Sequence, residues 1–130
     1  MTIALKIIGG IVGLAALIVV AYFLFYFAIP YWRAPDSLDK AEASKIIDDE
    51  IRIYRAKPYD QLVSLVGKTE YKDIQGPSGK KYYVEVSGYW DGEPNSDVRV
   101  MASISDGGKS AYIPMTTDFI TSPSGQFIGE

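Results

Sequence analysis

The chain has no cysteine and no histidine. The first absence excludes disulfides, thiolate nucleophiles and cysteine-ligated zinc or iron. The second removes every triad that relies on imidazole as its base. A basic excess is missing too: 13 Lys and Arg stand against 16 Asp and Glu, a formal charge of −3 over 130 residues. Such a chain lacks the electrostatic footprint of a nucleic-acid binder, so no nucleic-acid partner is expected. No internal repeat and no low-complexity tract interrupts it. The length suits one small domain with an appended segment.

What the chain does have is one long apolar run. Ile7 to Ile29 is 23 residues without a charge, 14 of them Leu, Ile, Val or Phe. As a helix it would extend roughly 34 Å, enough for a hydrocarbon core of about 30 Å. A signal-peptide core is usually shorter and ends at a small-residue cleavage site, and Phe27-Ala28-Ile29-Pro30-Tyr31-Trp32 offers none. The run is therefore read as an uncleaved transmembrane helix, within a membrane anchor over residues 1–33. Tyr22, Tyr26, Tyr31 and Trp32 at its far end suit an interfacial aromatic belt. Pro30 is expected to end or kink the helix at the membrane surface. Gly9 and Gly13 form a small-xxx-small pair of the kind that lets two membrane helices approach closely, although glycine is common in such helices. Lys6 lies before the run, and Arg33, Lys40 and Lys45 follow it. That asymmetry leans toward a cytoplasmic soluble part in a single-pass membrane protein.

Residues 34–130 read as a small α+β domain, with two helices packed on a four-stranded antiparallel meander. Asp36 or Ser37 can cap a first helix, in which Ala43, Ile46, Ile47, Ile51 and Tyr54 recur at helical spacing. Pro58 suits the first turn of a second helix carrying Tyr59, Leu62, Val63 and Val66, with Gly67 as its stop. The period then changes toward two. Strands are expected at Thr69–Gln75, Lys81–Tyr89 and Val98–Ser105, and a fourth at Ser110–Ile113 after a tight Asp106-Gly107-Gly108 turn. Asp118-Phe119-Ile120 is read as a short turn at the sheet edge. One face of such a sheet packs on the helices and the other stays solvated.

Candidate chemistry is sparse. Gly67-Lys68-Thr69 and Gly107-Gly108-Lys109-Ser110 each carry a fragment of a phosphate loop. The earlier glycine that the motif requires is Leu62 in one and Ser103 in the other, so neither implies a nucleotide cofactor. Asp91, Glu93, Asn95 and Asp97 place oxygen side chains at alternate positions, as a calcium loop does. Ser96 and Ala102 stand where that loop needs Gly and Glu, leaving a weak cation candidate against a solvated hairpin loop. Asp48-Asp49-Glu50 fan out around a helix and cannot converge as an acid–base pair. No catalytic set and no cofactor site emerges. Tyr83, Glu85, Tyr89 and Arg99 are expected to share a sheet face. With Trp90 beside them they form a possible surface for a protein partner or a ligand.

The stretch Lys80–Glu130 is similar to a group of small bacterial single-span membrane proteins. It shares Trp90-Asp91-Gly92, Asp106-Gly107-Gly108 and Asp118-Phe119-Ile120 with them. The resemblance covers about two-fifths of the chain and implies no activity, so it transfers no catalytic residues. These readings point to a membrane-anchored, non-enzymatic interaction or accessory module that engages a protein partner or a second copy of itself. The competing reading is a membrane-tethered sensor, with Arg99 fixing a small acidic ligand in a groove between helices and sheet.

Overall fold

The computed structural model describes residues 2–129; the side chains of residues 2 and 4–9 lie outside the description. The chain divides into two compact units, Met1–Pro35 and Asp36–Glu130.

The first unit is helical. Helix α1 (Thr2–Phe23) passes into a π-helical turn at Leu24–Ala28 and continues as α2 (Ile29–Arg33). Gly10–Arg33 is long and apolar enough to cross a membrane, the one such helix among the described residues. Of the two expectations for Pro30, an end or a kink, the first is not met, because the helix runs on to Arg33. The wide turn accounts for the difference. Proline clashes with the carbonyl four residues back and cannot donate to it. Just before Pro30, Ile29 N–H bonds instead to the Leu24 carbonyl, five residues back. A π turn of this kind opens the backbone where a proline has to enter. Rings stack along the helix, with Tyr22 and Tyr26 centroids 4.4 Å apart and Phe23 and Phe27 5.8 Å apart. Tyr31 and Trp32 meet edge to face at 5.9 Å. A side chain added at Gly13 would meet nothing within 4 Å. The surroundings of Gly9 lie outside the described residues.

The second unit is α+β. Helix α3 (Lys40–Arg55) starts one turn later than expected. Asp39, not Asp36 or Ser37, caps it by accepting from Ala41 N and Glu42 N at 3.1 Å each. Ala43, Ile47, Ile51 and Tyr54 form its buried stripe, as 3.6-residue spacing requires. Pro58 is the cap of α4 (Tyr59–Val63) rather than its first helical residue, and Leu62 is the buried anchor. The chain then lies against the sheet at Leu65–Gly67. Val66 forms an isolated parallel bridge with Gly88, and Gly67 N bonds to Gly88 O at 3.2 Å.

The sheet is an antiparallel meander of five strands, not four: β1 (Thr69–Gln75), β2 (Lys81–Trp90), β3 (Val98–Ser105), β4 (Met115–Thr121) and β5 (Phe127–Ile128), paired in chain order. The last two differ from expectation. Ser110–Ile113 is no strand; Lys109–Ala111 is a 3₁₀ turn. Asp106 explains this, since its carboxylate holds Gly108 N and Ser110 Oγ and winds the chain there. Asp118-Phe119-Ile120 lies inside β4 instead of forming a turn, and the apolar pair Phe127-Ile128 adds the fifth strand. The core joins the α3 stripe and Leu62 to Tyr82, Val84 and Val86 of β2, Val98, Val100, Ala102 and Ile104 of β3, and Phe119 of β4.

Candidate functional site: the open sheet face

Alternation along the strands settles which side chains reach solvent. On β2, Tyr82, Val84, Val86 and Gly88 are buried, while Tyr83, Glu85 and Tyr89 are exposed. Register then extends this outer face across the sheet. Tyr71 lies opposite Glu85 and Ser103 follows; Asp73, Tyr83 and Ser105 form the next row. Tyr89 lies opposite Arg99, with Ile120 beyond, and Met101 stands opposite Asp118. Tyr71 is 75% exposed, Tyr89 50%, Tyr83 41% and Met101 36%. Three tyrosines and a methionine left exposed on the outer face of the domain make an amphipathic contact surface.

Four of the five residues singled out for this surface, Tyr83, Glu85, Tyr89 and Arg99, do share the face. Trp90 does not. It has the parity of Tyr82 and packs against the core. That signal was present in the sequence, since Trp90 neighbours Tyr89 and must point the other way.

Arg99 is committed to carboxylates. It reaches Asp91 Oδ1 through Nε and Nη2, both at 3.0 Å, and pairs with Asp118 through Nη1. Those bonds, from Asp91 first and then Asp118, push the guanidinium pKa further up. Arg99 is therefore part of a cluster with one more carboxylate than cations, on the face turned away from α3, and is not a free cation in a helix–sheet groove. At the other end of the face, Lys81 pairs with Asp73 at 2.8 Å and stands 5.1 Å from the Tyr83 ring centre. Tyr83 and Tyr89 are six residues apart on one strand, or about 20 Å. Tyr83 and Tyr89 thus lie at opposite ends of the face, while Tyr71 and Tyr83 line an open depression at one end with Glu85, Ser105 and Ala111.

The 91–97 loop is a folded turn. Asn95 has φ 65°, Ser96 donates through both N and Oγ to Glu93 O, and Tyr59 Oη donates to Ser96 O at 2.5 Å. Asp91 is drawn away to Arg99. Among the described residues no three acidic, His or Cys side chains are grouped to hold a metal ion.

Sequence reasoning missed the polar hubs. The Asp106 side chain is 2% exposed and accepts from Ser37 Oγ at 2.7 Å, Ser110 Oγ at 2.6 Å and Gly108 N at 3.1 Å. Burial raises this carboxyl's pKa, but the hydrogen bonds from Ser110, Ser37 and Gly108 outweigh it and leave a net lowering. Glu42 similarly gathers Ser78 N and Oγ and Tyr82 Oη, at 2.8, 2.6 and 2.6 Å, and Ser78 above all lowers its pKa. Tyr54 donates to Glu70 at 2.5 Å; burial, then that carboxylate, raises its phenol well above the ordinary range. These hubs lock loops together. Ser110 is itself buried, so the Asp106–Ser110 pair offers no accessible nucleophile.

Comparison with family models, with curated proteins and with solved structures returns no match.

Proposed function

We propose that this protein is a single-pass membrane protein whose anchored α+β domain is a non-enzymatic interaction module. In this reading Gly10–Arg33 holds the chain in the cell membrane, with Tyr22, Tyr26, Tyr31 and Trp32 at the lipid–water boundary. The basic residues after the helix favour the cytoplasmic side for the domain. The observation that carries the reading is the uncovered outer face bearing Tyr71, Tyr83, Tyr89 and Met101, opposite a fully occupied core face. Tyr83 and Tyr89, about 20 Å apart along β2, cannot grip one small ligand between them, and a face of that width suits a protein surface. Arg99, already held by two carboxylates, is poorly placed to capture an acidic metabolite.

The test is a double substitution of Tyr83→Ala and Tyr89→Ala in the full chain. Both side chains are exposed, so stability should change by no more than about 0.5 kcal/mol per site. Aromatic anchors at an interface cost about 2 kcal/mol or more when truncated together, so the yield of cross-linked partner adduct in cells should fall at least about tenfold. An unchanged adduct yield would contradict the reading.

A further inference from the structure

Strand β1 lies at one end of the sheet order, and no described strand pairs with its outer side. Gly76 N donates to Lys80 O at 2.8 Å, in the same register that pairs Thr69 with Ser87. Antiparallel alternation then turns the backbone of Glu70, Lys72 and Ile74 toward β2. It leaves the N–H and C=O groups of Thr69, Tyr71, Asp73 and Gln75 directed outward. An edge of this kind is a template for another strand.

The sequence of the edge selects the occupant. In a two-fold antiparallel pairing of two copies, facing residues share a side of the sheet only when the axis passes through a residue. An axis at Glu70, Lys72 or Asp73 sets that charge against its own copy. An axis at Tyr71 sets Glu70 opposite Lys72 twice and Thr69 opposite Asp73 twice, with Tyr71 against Tyr71. It also brings the outward groups of Thr69, Tyr71 and Asp73 into mutual hydrogen bonding. We propose that β1 pairs antiparallel with β1 of a second copy of this chain, with the two-fold axis at Tyr71. The two sheets become one, and their open tyrosine faces lie side by side. The side chains are already positioned: Lys72 Nζ lies 2.9 Å from Glu50, and Glu70 accepts from Tyr54. Each Glu70–Lys72 contact between copies joins these two pairs into one chain of hydrogen bonds. The inference rests on the proposed function only in placing both copies in one membrane, where tethering raises their effective concentration.

The chain has no cysteine, so single replacements report pairing directly. At the axis, facing Cα atoms are about 5.5 Å apart, within disulfide range. In that register, residue 69 or 73 lies four positions from its own copy, about 13 Å away. Full-length Tyr71→Cys in isolated membranes, treated with a mild oxidant, should form dimer at least about tenfold more efficiently than Thr69→Cys or Asp73→Cys. Equal cross-linking at all three, or none at Tyr71→Cys, would overturn the pairing. If the chain were recovered outside the membrane, anchoring would fail, and the same oxidation in that fraction would still decide the pairing.

Discussion

Gly88→Val is expected to destabilise the domain strongly. A Cβ at Gly88 would lie 2.9 Å from both the carbonyl carbon and the Cβ of Leu65. The first is backbone and cannot rotate away. Leu65 is 4% exposed, and its segment is pinned through Val66 and Gly67 to the same strand. Relief therefore requires the α4–β1 connection to lift off β2, which opens the core beside Leu62. Overpacking typically costs 1–3 kcal/mol, and a branched side chain against backbone belongs at or above the upper end, about 3 kcal/mol or more. A domain of this size holds roughly 5–15 kcal/mol, so the loss corresponds to a fall in Tm of about 12–24 °C. Gly79→Ala is the control. Gly79 has φ +84° but nothing within 4 Å of an added Cβ, so only backbone strain of about 1–2 kcal/mol is expected. Equal melting losses for the two variants would mean that the close approach at Gly88 is not what the fold depends on.

Asp106→Ala should be nearly as damaging, and its effect should depend on pH. Removing the carboxylate takes the acceptor from the Ser110 hydroxyl and from Gly108 N, both in buried residues, and releases Ser37, while Ser110 Oγ still accepts from the backbone N–H of residue 106. Each buried group left unsatisfied costs about 1–3 kcal/mol, so a loss of about 2–4 kcal/mol is expected in denaturant unfolding. The pH dependence follows from the direction of the shift. The folded-state pKa of Asp106 lies below its ordinary value of 3.8, and that of Glu42 lies below 4.5. A depressed carboxyl pKa contributes stability that is present above the unfolded value and lost as pH falls through the folded one. Stability should therefore be flat near neutrality and decline below about pH 4.5. Asp106→Asn combined with Glu42→Gln should flatten that decline while lowering stability at neutral pH. An acid limb unchanged in the double variant would assign it to other carboxylates.

The sequence disclosed some of these features and concealed others for physical reasons. Val98–Ser105 was legible because four apolar residues alternate cleanly, and Thr69–Gln75 because turn residues bound it. β4 was obscured by Thr116, Thr117 and Thr121, which place polar groups on both faces and blur the period of two. Ala111-Tyr112-Ile113 imitates a strand, but the decision lies with Asp106, whose grip on Gly108 and Ser110 no periodicity reveals. The outer face followed from parity once β2 was located. The pairs Glu42–Tyr82 and Tyr54–Glu70 could not be read, because each joins α3 to a strand through a register fixed only by the folded sheet. Pro30 shows local chemistry overruled: its ring is accommodated by a π turn instead of ending the helix.

Contact through the outer sheet face of a membrane-anchored chain is tested most directly by photocrosslinking. A photoreactive residue would be placed at Tyr83, at Tyr89 and, as a control, at exposed Arg52 on α3. The full-length chain would be irradiated in intact cells and the membranes washed with alkaline carbonate. Full-length adducts are expected in the washed membranes from positions 83 and 89 and none from position 52. Release of the chain into the wash, or adducts of equal yield from position 52, would contradict contact through this face of an anchored chain.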